Sequence, residues 1–261
     1  MKYETLIYER EKEIGILRLN RPKRLNAINE QMIEELEHFW KERLYDLETR
    51  VIVLCGEGEK GFCGGLDMKE TGPKVFEFGN LEVYRFQMRI SRLLLLMRQV
   101  PQPIICAIHG SAVGGGFSFA MASDVRIVTP DARFSAAYIN IGLGGADMGS
   151  SYFLPRLIGA GRAYEFLLTG DFLDAEEAFR LGFVSRIVKR EELLQEAMKI
   201  AKKMVSKNPF GLRLTKEAIN VNLDAGGLEN ALQIEDRNQV MCILARKSSP
   251  QNGSGQDSCS S

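Results

Sequence analysis

The sequence predicts an α/β protein, with a core of parallel-paired strands followed by a helical C-terminal region. Three observations carry this expectation. Strand-like and helix-like segments alternate from residue 14 to about residue 135, the rhythm of parallel strands joined by helical crossovers. From Ser150 onward the apolar spacing is almost wholly helical. Two buried-strand patterns also run straight into glycine-rich turns, at residues 51–68 and 104–117.

The elements follow in order. Leu6-Ile-Tyr-Glu and Ile14-Gly-Ile-Leu-Arg-Leu19 read as two strands around the charged turn at residues 10–13. Asn20-Arg-Pro22 ends the second. Asn29 caps a helix whose apolar positions Met32, Ile33, Leu36, Phe39, Trp40 and Leu44 recur at three- and four-residue spacing. A strand at 51–55 follows, then the first glycine turn, then a charged stretch to Asn80 expected to be a mobile loop. A helix from Leu81 to Arg98 precedes Pro101 and Pro103, which punctuate entry into a strand at 104–108. Further strands are expected at Val125-Arg-Ile-Val128 and from Arg133.

Beyond Ser150, helices are expected through Leu167, from Asp174 to Leu181, from Glu191 to Val205, from Leu212 to Asn222 and from Glu229 to Ala245. Asn208-Pro209 breaks the run. The organisation read from this pattern is a core at 1–195, a helical region at 196–247, and a serine- and glycine-rich tail at 248–261 whose composition predicts disorder.

Composition narrows the function classes. The 34 basic and 34 acidic residues cancel, leaving no electrostatic case for nucleic acid or a membrane surface. The five cysteines show no paired ligand spacing, and there are two histidines, His38 and His109, so a metal centre is not expected. Cysteines within apolar runs act as small core residues and suit a reducing compartment. Apolar stretches are far shorter than the ~20 residues a membrane span needs. The segment at residues 93–97 is bracketed by Arg92 and Arg98 and reads as a buried helix turn. The N-terminal residues lack a signal-peptide core, so a cytoplasmic location is expected.

The glycine turns carry the chemistry. Glycine lets the chain turn sharply and lets a ligand approach bare N–H groups. A helix start leaves its first amides without internal partners, which suits an anionic oxygen. Two such turns in one chain suggest a cradle for developing negative charge. Other schemes fit poorly. Gly116-Phe-Ser118-Phe-Ala120 fails the last position of a nucleophile elbow. Gly142-Leu-Gly144 lacks the third glycine of a dinucleotide fingerprint.

Several motifs together resemble the enoyl-CoA hydratase/isomerase (crotonase) family. They are Asn20-Arg-Pro-Lys-Arg-Leu-Asn-Ala27, Phe62-Cys-Gly-Gly-Leu-Asp-Met68, His109-Gly-Ser-Ala-Val-Gly-Gly-Gly116, Ala122-Ser-Asp124, Leu154-Pro-Arg-Leu-Ile-Gly159 and the segment at residues 167–188. The resemblance implies a crotonase-like spiral of strand-strand-helix repeats with a C-terminal helical region, assembled as a homotrimer or a dimer of trimers. It implies an acyl-CoA thioester substrate, with coenzyme A as part of that substrate and no separate cofactor. The amides of Leu66 and Gly115 would form the oxyanion hole that holds the thioester oxygen as it becomes an enolate. Arg24, Leu25 and Ala27 would line the CoA, Arg24 as a phosphate partner. Gly64, Asp67, Met68 and Gly114 would flank the thioester and adenine end, although Asp67 also suits the turn and the next helix N-terminus.

The chain departs from that family at two positions. Hydratases of the family use two glutamates, and the matching positions here are Ser118 and Tyr138. Adding water to a double bond needs a base and an acid, which puts ordinary hydratase chemistry in question, and the second glutamate that double-bond isomerases of the family commonly keep is missing too. One carboxylate stays close in sequence, Asp147, on a loop that in some relatives carries a catalytic aspartate. As a purely local feature it would instead cap the next helix. Dehalogenase-like chemistry would need histidine and tryptophan partners, but Trp40 sits in an early helix and His109 at a strand end. Hydration or double-bond migration on an acyl-CoA are the leading expectations. The alternatives are an acyl-CoA-binding paralogue with little turnover, or C–C or C–X cleavage using Asp147.

Overall fold

A computed structural model describes residues 1–248. The chain divides into two compact units, residues 1–207 and Asn208 onward. The first unit opens with the hairpin β1 (Leu6–Glu11) and β2 (Ile14–Leu19), followed by α1 (Glu30–Leu44) and β3 (Val51–Gly56). Asn29 caps α1 as its sequence position predicts, its side chain accepting from the Met32 amide at 3.0 Å. Next come α2 (Gly72–Glu77), α3 (Asn80–Gln99), β4 (Ile104–Ile108), β5 (Ser111–Val113), α4 (Gly115–Ala122), β6 (Val125–Val128) and β7 (Arg133–Ser135). Then follow α5 (Ser150–Ile158), α6 (Ala160–Thr169), β8 (Leu173–Asp174), α7 (Ala175–Arg180), β9 (Arg186–Ile187) and α8 (Leu193–Val205).

The larger sheet has the order β1-β2-β3-β4-β6-β9, parallel throughout except for the opening hairpin. Residues 51–54 of β3 and all of β4 are buried. That is why these strands read as continuous apolar runs: both faces of a parallel sheet are covered. A smaller sheet, β5-β7-β8, lies alongside in the chain path. Bridges from Gly61 to Gly110 and from Cys63 to Ala112 extend its pairing back to the segment after β3. Each turn of the chain thus adds one strand to the large sheet and a short one to the small sheet, which makes a spiral.

Three sequence expectations change. The stretch expected as a mobile loop to Asn80 contains the helix α2, whose first turn holds Pro73 and is pre-set by that residue's fixed φ. The region after Ser150 is not wholly helical. β8 pairs antiparallel with β7, and β9 extends the large sheet beside β6; two-residue strands are too short to leave a period in the sequence. The boundary at 195/196 falls inside α8. That helix buries Leu193, Ala197, Met198 and Ala201 and packs on β2, β3, β4 and β6, so it belongs to the first unit.

Of the segment 93–97, Leu93, Leu94 and Met97 are buried while Leu95 is exposed. In the second unit, α9 (Pro209–Asn222) and α10 (Leu228–Ser248) pack on each other. The expected tail lies outside the described residues, apart from the end of α10. Among the described residues, no helix is long and apolar enough to cross a membrane.

Candidate active site

The two glycine turns are zipped together. Cys63 donates its amide to the Ser111 carbonyl at 3.1 Å, and Val113 donates to the Cys63 carbonyl at 2.9 Å. The first turn is also stitched to the loop before α1. Gly64 donates to Leu25 O at 2.8 Å, Ile28 to Gly65 O at 2.7 Å, and Asp67 to Ile28 O at 2.8 Å. These last two bonds form a parallel bridge between Ile28 and Leu66. In such a bridge the neighbours of Leu66 face Ile28, so the Leu66 N–H points to the opposite side. Among the described residues it meets no acceptor.

Gly115 reaches the same place from the other turn. It is the first residue of α4, and a first-turn amide has no partner within its helix. Gly114, at φ +52 and ψ −120, makes the sharp entry that a side chain would resist. The two turns touch: a Cβ built on Gly65, whose φ is +83, would sit 2.8 Å from the Val113 carbonyl and 3.5 Å from the Gly115 nitrogen. Two open backbone donors therefore lie on adjoining turns. Cys63, beneath them, donates its thiol to Asn26 O at 3.2 Å, and burial pushes that thiol up to about 12. It is a packing residue.

The hydroxyls of Ser118 and Tyr138 come together. Ser118 is fully buried in α4, and its Oγ lies 3.3 Å from the Tyr138 hydroxyl. The Tyr138 ring edge would come within 3.5 Å of a Cβ at Gly114. Burial pushes the phenol well above its ordinary range, and the Asp147 charge pushes the same way. Tyr138 is therefore a protonated phenol at any physiological pH, able to donate a hydrogen bond but not to act as a base.

Asp147 lies on the loop before α5, and its charge is felt at the Tyr138 phenol. Its neighbour Met148 places its sulfur 3.3 Å from where a Cβ on Gly115 would stand. Asp147 does not cap α5. That helix starts after Gly149 without a side-chain cap. The Asp147 carboxylate instead accepts at Oδ1 from the Met148 amide at 2.6 Å and from the Gln87 side chain at 2.5 Å.

The residues expected to line CoA divide. Leu25, at φ +53, lays its side chain 3.1 Å from the Cβ positions of Gly61 and Gly64. Ala27 is half-buried beside it. Arg24 is exposed and forms no ion pair among the described residues. The Asp67 carboxylate is engaged by Arg21 and by the Lys69 and Glu70 amides. Burial would raise its carboxyl, but Arg21 at 2.8 Å and the amides of Glu70 and Lys69 hold it below the ordinary range. It therefore orders the turn. Met68 is largely exposed and packs against Gly72.

The histidines and the tryptophan stay outside the site. His109 is buried, with its imidazole pulled down to about 4 by burial and then by Arg190. His38 shares a hydrogen bond with the Tyr3 hydroxyl at 2.9 Å, and Trp40 is wholly in the core. A cavity of about 550 Å³ opens between α1 and α3, lined by Glu37, Lys41, Arg85, Arg89 and their neighbours. None of its lining residues belongs to the glycine turns or the Asp147 loop, so that cavity and the polar cluster are separate features.

Gln87 is the residue that sequence reading passed over. Its signal was present. Ile90, Leu94 and Met97 form the buried stripe of α3, and a glutamine three residues before Ile90 interrupts that stripe.

Comparison with known proteins agrees with this geometry. A family model described as enoyl-CoA hydratase/isomerase matches residues 9–253. A probable enoyl-CoA hydratase of Mycobacterium tuberculosis is 40% identical over 236 residues, covering 89% of this chain and 82% of that protein. The 1,2-epoxyphenylacetyl-CoA isomerase of Escherichia coli is 35% identical over 237 residues, covering 89% and 87%. The crystal structure of a probable enoyl-CoA hydratase/isomerase from Mycobacterium abscessus superposes with a TM-score of 0.85 at 36% identity, covering 92% and 91%. With its spiral, its paired glycine turns and these matches along nearly its whole length, the chain belongs to the enoyl-CoA hydratase/isomerase family and has the crotonase fold.

Proposed function

We propose that this protein migrates a double bond in an acyl-CoA, converting a β,γ-enoyl thioester to its α,β-conjugated isomer, with Asp147 as the single base. Coenzyme A enters as part of the substrate, and the scheme needs no further cofactor. The observation that carries this reading is the company around Tyr138. The carboxylate that acts on its phenol is Asp147, and the two positions used for paired acid–base work hold Ser118 and Tyr138. Isomerisation needs one group that removes a proton and returns it elsewhere. Hydration needs two groups at once.

The thioester oxygen sits between the Leu66 and Gly115 amides. Asp147 Oδ2 takes a proton from the α-carbon, and the electron pair of that C–H bond moves into the thioester to give a dienolate. The two fixed N–H donors stabilise the charge as it develops on oxygen, so they lower the barrier more than they tighten substrate binding. The same carboxyl returns the proton to the γ-carbon, and the conjugated thioester is released. Tyr138 and Ser118 shape and polarise the pocket floor. Leu25 and Ala27 flank the pantetheine arm, and Arg24, extended into solvent, meets a CoA phosphate.

The test is a comparison of two assays. Isomerisation of a β,γ-enoyl-CoA, followed as thioester conjugation, should exceed hydration of crotonyl-CoA by at least ~10²-fold in kcat/KM. Efficient hydration with negligible isomerisation would sink the proposal. Tight acyl-CoA binding with neither reaction would favour a binding protein instead.

Assembly completes the reading. α9 and α10 expose Ile219, Leu223, Leu228, Leu232, Val240 and Leu244, more apolar surface than a solitary helical hairpin tolerates. We assign this surface to contacts between copies in a trimer or a dimer of trimers. Light scattering should give three or six times the chain mass of 29.3 kDa. A monomer mass at micromolar concentration would contradict it.

A further inference from the structure

We propose that Gln87 is a positioning residue for Asp147, pinning one carboxylate oxygen so that the other is aimed at the acyl chain. The inference rests on the reading of Asp147 as the base. It is carried by how the two carboxylate oxygens are used. Oδ1 accepts two hydrogen bonds, from Gln87 Nε2 at 2.5 Å and from the Met148 amide at 2.6 Å. Oδ2 accepts none among the described residues. Asp67, which ties its turn down, is arranged differently: one oxygen accepts from Arg21 and the other from the Lys69 and Glu70 amides.

The backbone of the loop is held independently. Asp147 donates its amide to Ser150 Oγ at 3.1 Å, and its carbonyl accepts from the Ser150 amide at 3.0 Å. Met148 sits at φ +43, a left-handed conformation that persists because its surroundings determine it. That clamp fixes the Asp147 Cα and Cβ but leaves the terminal carboxylate torsion, which is broad and roughly two-fold. The Met148 amide constrains Oδ1 from one side. Gln87 closes the second side from an element 60 residues away in sequence.

α3 is a rigid platform for this contact. Gln87, Ser91 and Leu94 lie on one helical face. The Gln87 amide lies 3.5 Å from Ser91 Oγ, and Leu94 reaches within 3.4 Å of the Cβ position of Gly149. The face that carries Gln87 therefore packs against the loop that carries Asp147. An amide suits the role. It donates to one oxygen, whereas the fork of an arginine would engage both and leave no free acceptor.

The test is a double-substitution cycle in the full-length protein with the β,γ-enoyl-CoA isomerisation assay. Gln87→Met keeps length and shape and removes the donor. Its kcat should fall by about 10–10²-fold while KM stays within about three-fold, because misaiming a base harms the reacting geometry and not substrate binding. In the Asp147→Asn background the same substitution should cost nothing further, since Gln87 acts only through the carboxylate. Gln87→Glu, equal in size, should lower kcat at least as much by placing a second carboxylate beside the first. Circular dichroism and melting temperature should match the parent for all three.

A wild-type kcat for Gln87→Met, or a loss that adds fully to that of Asp147→Asn, overturns the proposal and leaves the Asp147 reading standing. Unchanged turnover in Asp147→Asn alone overturns both.

Discussion

Asp147→Asn lowers isomerase turnover by about 10²–10⁴-fold and leaves acyl-CoA affinity within a few-fold. The asparagine is nearly the same size. Its carbonyl oxygen still accepts from the Met148 amide and from Gln87, so the loop keeps the hydrogen bonds seen at Oδ1. What it loses is the other oxygen, which becomes an NH₂ group with no lone pair for a proton. The loss should therefore fall on kcat. Ser118→Ala is the contrasting case. Its hydroxyl lies 3.3 Å from the Tyr138 hydroxyl and hydrogen-bonds to no carboxylate among the described residues, so removing it should cost less than about ten-fold. Steady-state kinetics together with calorimetric acyl-CoA binding would decide the matter. An asparagine variant with wild-type kcat would remove Asp147 from the chemistry.

The second large effect concerns the cradle itself, whose donors are main-chain and can be displaced only through the backbone. Gly65→Ala places a Cβ 2.8 Å from the Val113 carbonyl, at a φ of +83 that costs an L-residue about 1–2 kcal/mol. The obstacle is backbone, so the two turns must separate. The proposed pairing of the Leu66 and Gly115 amides on one oxygen is then lost. Loss of one such donor typically costs about 10²–10³ in rate, and this change disturbs both.

Gly115→Ala makes a matched control. Its Cβ would meet the Cδ1 end of Ile28 at 2.7 Å and the Met148 sulfur at 3.3 Å. Those are side-chain ends that can rotate away while the amide stays in place. Its turnover should fall by less than about ten-fold, with melting curves confirming that both variants fold. Full activity in Gly65→Ala would mean that these amides do not hold the thioester oxygen.

Much of this was written in local chemistry. The runs at 51–55 and 104–108 are legible as buried parallel strands because both faces need apolar side chains. Asn29 and Asp174 announce helix starts because a short polar side chain there satisfies an otherwise orphaned amide, and both do so in the structure. Gly65, Gly114 and Gly116 are legible because a positive φ at the first two and the backbone of Cys63 against the third leave no room for a side chain. The family and its spiral follow from the order of those signals along the chain.

Tertiary structure alone decided the rest. The two-residue strands β8 and β9 owe their conformation to the sheet edges they complete, and no period can form in two residues. α8 reads like the helices after it, and only its packing on the sheet assigns it to the first unit. Local rules gave Asp147 two roles, a cap or a base. What the tertiary structure added is the absence of a side-chain cap on α5 and a carboxylate held by Gln87 of α3 across 60 residues of sequence. A hydrogen bond between distant segments depends on where the whole chain places two backbones, and the residue types alone do not record that distance.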